Sequence, residues 1–185
     1  MELSRRVKRP SRGVATVIPF LMAWVQWCRV QASGAMEFDY RLTGLGWAEA
    51  RVSDGASTAT ITASYLDDAL GDLLEAVGVL LEGAEEARCS WTEEPGEFRW
   101  IFRREGAAVQ LRVLVFPGMY SHEPDGTGVV VFDTRQPLRE VARAIATGAQ
   151  AVLDEHGEDG YLQRWYEHPF PSGHLEAIQV WLSAS

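Results

Sequence analysis

Four histidines, one mid-chain cysteine and a group of glutamates are the residues of this chain whose chemistry could extend beyond packing. His122, His156, His168 and His174 could ligate a metal or move protons, but no close His, Cys or carboxylate spacing of a familiar ligand kind accompanies them. Glu167-His168 and His174 bracket a proline loop, which reads as an aromatic-rich corner. Cys89 falls among strand positions beside apolar neighbours, so a buried and inert thiol is expected rather than a nucleophile. Glu93, Glu94 and Glu97 crowd a hairpin tip. Paired carboxylates do acid–base work only when burial drives their pKa values apart, and an exposed turn predicts a solvated tip instead. The sequence has no phosphate loop, Gly-rich dinucleotide turn or Gly-x-Ser-x-Gly elbow. No catalytic residue, metal ligand or cofactor is assigned.

Binding has more candidates than catalysis. Trp165, Tyr166, Phe170 and Trp181, with Pro169 and Pro171, form the densest aromatic group outside the strands. They line either a pocket or partner surface, where aromatics contribute most binding energy, or simply the lid of the core. His168 and His174 belong to the same stretch. Arg41, Arg51, Arg99, Arg103 and Arg112 fall on strand patterns, generally opposite the apolar positions. They could bind an anion or an acidic partner. Cross-strand pairing with Asp39, Glu49 and Glu97 is the commoner use of such residues. The candidate binding set is therefore Trp165, Tyr166, His168, Phe170, His174, Trp181, Arg99, Arg103 and Arg112.

Periodicity places these residues on elements. Phe38, Tyr40 and Leu42 alternate with Glu37, Asp39 and Arg41, a half-buried strand; Trp47–Ser53 and Ala59–Tyr65 follow, split by Asp54-Gly55. Ser64-Tyr65-Leu66-Asp67 reads as a capping box for a helix carrying Leu66, Leu70, Leu73, Leu74, Val77, Leu80 and Leu81, with Gly83 as its stop. Gly71 and Gly78, seven apart, are expected to let that helix lie close to the sheet. Ala87–Trp91 and Phe98–Arg103 flank Glu93-Glu94-Pro95-Gly96, a type II turn pattern. Val109–Phe116 is apolar on both faces near its end, so it should be central. A Gly/Pro-rich loop over 117–128 and a short strand Val129–Phe132 come next. Pro137 opens a helix to about His156, a short piece covers Tyr161–Tyr166, and Ser172 caps a last helix with Leu175, Ile178 and Leu182. The expected class is α+β: a mixed or mainly antiparallel sheet of about six to seven strands, built as β-meander, helix, β-meander and C-terminal helices, with the helices on one face.

Charge divides the 185 residues at Met36. Residues 1–35 hold six Lys or Arg against Glu2, a net of +5, and residues 36–185 hold eleven Arg against twenty-five acids, a net of −14. The first segment combines a basic start with an apolar Val14–Cys28 stretch and small residues at Val30-Gln31-Ala32 or Ser33-Gly34-Ala35. It reads as translated upstream sequence before a true start at Met36, as an export signal, or, third, as a structured element. Pro19 and Gln26 interrupt it, so no stable membrane anchor is expected. Residues 36–185 suffice for a single globular domain with an ample core. The acidic balance argues against a nucleic-acid partner, which needs cationic surface at its phosphates.

Thr62-Ala63-Ser64-Tyr65-Leu66 before a Leu-rich helix, Glu94-Pro95-Gly96-Glu97-Phe98-Arg99-Trp100 at a hairpin, and Gly160-Tyr161 through Trp165 to His168-Pro169-Phe170-Pro171 resemble an actinobacterial family of small α+β proteins. The resemblance spans Met36 to about Trp181 and implies a fold, with no activity attached to it. The net −14 of residues 36–185 and the absence of an assembled catalytic set lead instead to the expectation of a cytoplasmic, non-enzymatic, acidic interaction domain that binds a basic protein, in the manner of immunity proteins. The alternatives are a small-molecule binder or enzyme using Glu167, His168 and His174 in a pocket between sheet and aromatic segment, and an exported protein.

Overall fold

Alternation along the first three strands sets the first layer. The computed structural model describes residues 34–184; the leader reading of residues 1–35 falls outside them except at its last two positions. β1 (Glu37–Gly44), β2 (Trp47–Ser53) and β3 (Thr58–Ser64) pair antiparallel in that order. Phe38, Tyr40, Ala50, Val52, Ile61 and Ala63 face inward, and Thr58 and Thr60 face out. Sheet pleating puts successive side chains on opposite faces, so these three strands bury one side only.

Helix α1 (Ala69–Leu81) follows, but its start differs from the expected capping box. Ser64 closes β3, Leu66 is exposed, and Asp68 is the cap, accepting from the Gly71 amide at 3.1 Å. A Cβ on Gly71 would stand 2.2 Å from that carboxylate, so Gly71 makes room for the cap, while a Cβ on Gly78 would meet nothing. The second meander has four strands, β4 (Glu86–Glu93), β5 (Gly96–Glu105), β6 (Ala108–Phe116) and β7 (Val129–Pro137), all antiparallel. β6 is central, as its two-sided apolarity predicts. The β4–β5 register pairs Glu93 with Gly96, which makes Pro95 the third residue of the turn and not the second, where a type II turn would place it. β7 is longer than expected. Its inner positions continue past Phe132 as Thr134 and Gln136, buried polar residues that an apolar pattern does not reveal.

The strands form two sheets, of three and four strands, rather than one. Side chains replace a ladder where β3 and β4 meet. The Thr92 amide, which points away from β5, donates to the Asp67 carboxylate at 2.7 Å, and the Thr62 hydroxyl donates to Glu93. Asp54, at the β2–β3 turn, ties the sheets elsewhere: it accepts from the Thr134 hydroxyl of β7 at 2.8 Å. Across the interior, Phe38 meets Trp100 at 6.2 Å between ring centroids, Tyr40 meets Trp91 at 5.9 Å, and the two indoles lie 4.9 Å apart. One hydrophobic cluster thus draws on both sheets and on all three described α-helices.

α2 (Leu138–Trp165) is broken at Gly157, whose φ of 64° and ψ of 173° are not helical. The break falls one residue past the expected end at His156 and yields the separate aromatic piece. Before it, α2 lies on β1 at Gly148, where a Cβ would stand 2.6 Å from the Phe38 ring and 2.7 Å from its carbonyl oxygen. α3 (Ser172–Ser183) closes the chain on Leu175 and Ile178. Ser172 does not cap it; its hydroxyl donates to Glu158. Among the described residues, no helix is long and apolar enough to cross a membrane.

Candidate functional site

The strand arginines are mostly engaged with carboxylates. Arg41 pairs with Glu49, Arg103 with Glu86 at 3.0 Å and Arg112 with Asp133 at 3.5 Å, all at least partly solvent-exposed. Such pairs contribute little each. Arg99 is different. It is 8% exposed and bonds Glu97 at 3.1 Å, Asp125 at 2.7 Å and the carbonyls of Ser121 and Glu123 at 2.8 and 3.0 Å. Its guanidinium also lies 4.3 Å over the Phe116 ring. Glu97, expected on a solvated hairpin tip, is 3% exposed because the 117–128 segment folds across it. Ile101, Leu114 and Phe116 form a small separate cluster, and Gly128, at the end of that segment, lies against the Phe116 ring. Arg99 therefore holds the segment down and offers no donor to a ligand.

The closing aromatic residues divide. Trp165 and Phe170 are buried in the core, the Trp165 indole donating to the Asp67 carbonyl at 3.2 Å. Trp181 lies on the flank of α3, 5.7 Å under the Arg139 guanidinium. Tyr166 points outward, 48% exposed, and meets Tyr65, 41% exposed, at 5.1 Å with an angle of 56°. With Leu45 and Glu167 the two rings line a depression of about 540 Å³.

Three segments are clamped together beneath this pair. The Gly46 amide donates to the Arg164 carbonyl at 2.7 Å, and the Tyr65 amide donates to the Gly46 carbonyl at 2.9 Å. A Cβ on Gly46 would stand 2.7 Å from the Tyr65 ring and 3.0 Å from that of Tyr166, and its φ of +75° also favours glycine. Tyr166 itself has φ 63° and ψ −92°. A side-chain-bearing residue held so costs on the order of 1–3 kcal/mol, and such outliers concentrate at functional sites.

Acidic groups gather on the helices. Asp68 and Asp72 both have raised pKa values, first because burial disfavours their charge; for Asp72 the neighbouring Asp68, Asp67 and Glu75 add to it and bring the value from 3.8 to about 6. His168 and His174 act against the shift at Asp68. Between these two pH values the folded protein binds more protons than the unfolded chain. Asp72 therefore lowers stability as pH rises from 3.8 to about 6, and the penalty persists above that range. Allowing for solvent screening, Asp72→Asn should stabilise the protein by about 1 kcal/mol near pH 8 and change nothing below about pH 4. Urea unfolding at the two pH values checks this; an equal change at both would contradict it.

Cys89 is buried, and burial, reinforced by Asp72, pushes its thiol pKa up, which suits an inert thiol. Among the described residues, no group of three or more His, Cys, Asp and Glu is arranged to hold a metal ion.

Of the predicted binding residues, the structure places Tyr166 at the depression and His168 and His174 near Asp68. It places Trp165 and Phe170 in the core and Arg99, Arg103 and Arg112 in ion pairs. Sequence reasoning missed Tyr65 and Leu45, assigned to a strand end and a turn, and treated Asp67 as a cap. The signals available were Gly46 in a turn opposite Tyr65, and the absence of any basic residue from Asp67 to Glu82. No family model, curated protein or solved structure matches the chain.

Proposed function

We propose that this chain is a non-enzymatic, acidic interaction domain that binds a basic protein partner, in the manner of immunity proteins that hold basic toxins. The observation that carries the reading is the segregation of charge. Eight of the eleven arginines in residues 36–185 lie on strands, and six of those pair with carboxylates. The helical side is left with the surplus. Residues 67–82 carry five acids and no base, and residues 154–176 carry six acids against Arg164 alone. A concentrated negative field of this kind speeds encounter with a cationic surface and selects against acidic partners.

Affinity capture with the purified domain from its native host, at about 50 mM and about 500 mM salt, tests the reading. The expected result is a basic protein retained at low salt and released at high salt, with retention weakened by Asp154→Asn and Glu158→Gln together. Capture of no protein at either ionic strength, or of one insensitive to both salt and the neutralised acids, would sink it.

A further inference from the structure

We infer that the depression lined by Leu45, Tyr65, Tyr166 and Glu167 seats a cationic side chain, arginine above all, presented by the basic partner; the inference rests on the acidic-interaction reading and gives that reading a contact point. Four observations carry it. First, Tyr166 is held at φ 63° while its ring lies half outside, so the strain is not returned as burial. A turn over Trp165 alone would not need that ring to stand against Tyr65. Second, both rings lie against the Gly46 turn, where a Cβ would stand 2.7 and 3.0 Å from them, and the backbone bonds of that turn hold the segments bearing both tyrosines together. The pair is preorganised, which reduces the ordering a ligand must impose on binding.

Third, the geometry excludes some ligands and admits others. Rings whose centroids are 5.1 Å apart at 56° form a wedge too narrow for an aromatic ligand to enter between them. Both side chains remain nearly half exposed, and an aromatic face attracts a guanidinium or ammonium through its quadrupole. Leu45, 66% exposed, offers apolar surface for the methylene stem of such a side chain. Fourth, Glu167 lines the same depression and supplies the opposite charge. A flat cation that stacks and also bonds a carboxylate is what a guanidinium provides, better than the compact ammonium of lysine.

The test uses the full chain and three synthetic peptides of equal length: arginine-rich, lysine-rich and glutamine-rich. Titration is followed by amide chemical shifts and by isothermal calorimetry at low salt. The expected result is binding of the arginine peptide, weaker binding of the lysine peptide and none of the glutamine peptide, with shifts at Leu45, Gly46, Tyr65 and Glu167. Tyr65→Leu should weaken the arginine peptide about tenfold. Glu167→Gln, a substitution at an exposed position that leaves the fold intact, should weaken it a few-fold.

Salt-sensitive binding that shifts only amides of α1 and α2, and that neither variant alters, overturns this site while leaving the acidic-interaction reading in place. Equal binding of the glutamine peptide overturns the cationic assignment. Failure of both charged peptides to bind at low salt counts against the site and the wider reading together.

Discussion

Arg99→Ala is expected to destabilise the protein by about 3–5 kcal/mol, the largest single-residue effect foreseen for a polar position. Truncation leaves the Glu97 carboxylate nearly sealed from water, with only the Ser90 hydroxyl at 3.0 Å and the Ser121 amide at 2.6 Å as donors. It also frees two carbonyls of the 117–128 segment and uncovers the Phe116 ring. The effect is mainly the penalty of a stranded buried charge, not the value of the ion pair. A double substitution that removes both charges, Glu97→Leu with Arg99→Met, should therefore lie closer to the parent than Arg99→Ala does. Urea unfolding gives the free energies, and limited proteolysis within 117–128 reports release of the segment. A loss below about 1 kcal/mol, or a double variant worse than the single, would overturn this account.

Asp54→Ala follows, with an expected loss of about 2–4 kcal/mol. Burial alone would push the Asp54 pKa up, but hydrogen bonds from Ser57, Thr134 and Ala56 outweigh it and hold the carboxyl below its ordinary 3.8. The Ala56 and Ser57 amides donate at 2.9 and 2.8 Å and shape the β2–β3 turn, while Thr134 reaches across from the other sheet. A depressed folded-state pKa gives stability that is complete above 3.8 and declines as pH falls through the lower value. The difference between parent and Asp54→Ala should accordingly shrink in acid, leaving the part due to the turn. A difference that is constant with pH would show that the carboxylate's charge contributes nothing.

Neither of these two roles is legible in the sequence. Periodicity located the strands and helices well: Phe38, Tyr40, Ile61 and Trp100 face the core as their alternation requires, and the helix break beside His156 was visible as a change of pattern. The division into two sheets was not visible, because strand pairing depends on which edges meet in space. Here the Asp67 carboxylate takes the Thr92 amide that a continuous ladder would otherwise have used, and a side-chain bond from Thr62 to Glu93 bridges the two strands. Arg99 and Glu97 looked like an ordinary surface pair, since nothing local indicates that residues some twenty positions later fold over them. The depression was only half legible. Tyr166 stood out within an aromatic run, whereas Tyr65 and Leu45 join it only through the Gly46 clamp, a contact between segments over a hundred residues apart.

The seam between β3 and β4, held by the Thr62–Glu93 and Thr92–Asp67 bonds, has a mechanical consequence. Parting any other adjacent strands within a sheet breaks a row of amide–carbonyl bonds, but here a crack need only break isolated side-chain links and admit water to the aromatic interior. Slow native fluctuations should take that plane first, moving the N-terminal meander as one plate while its own amides stay protected.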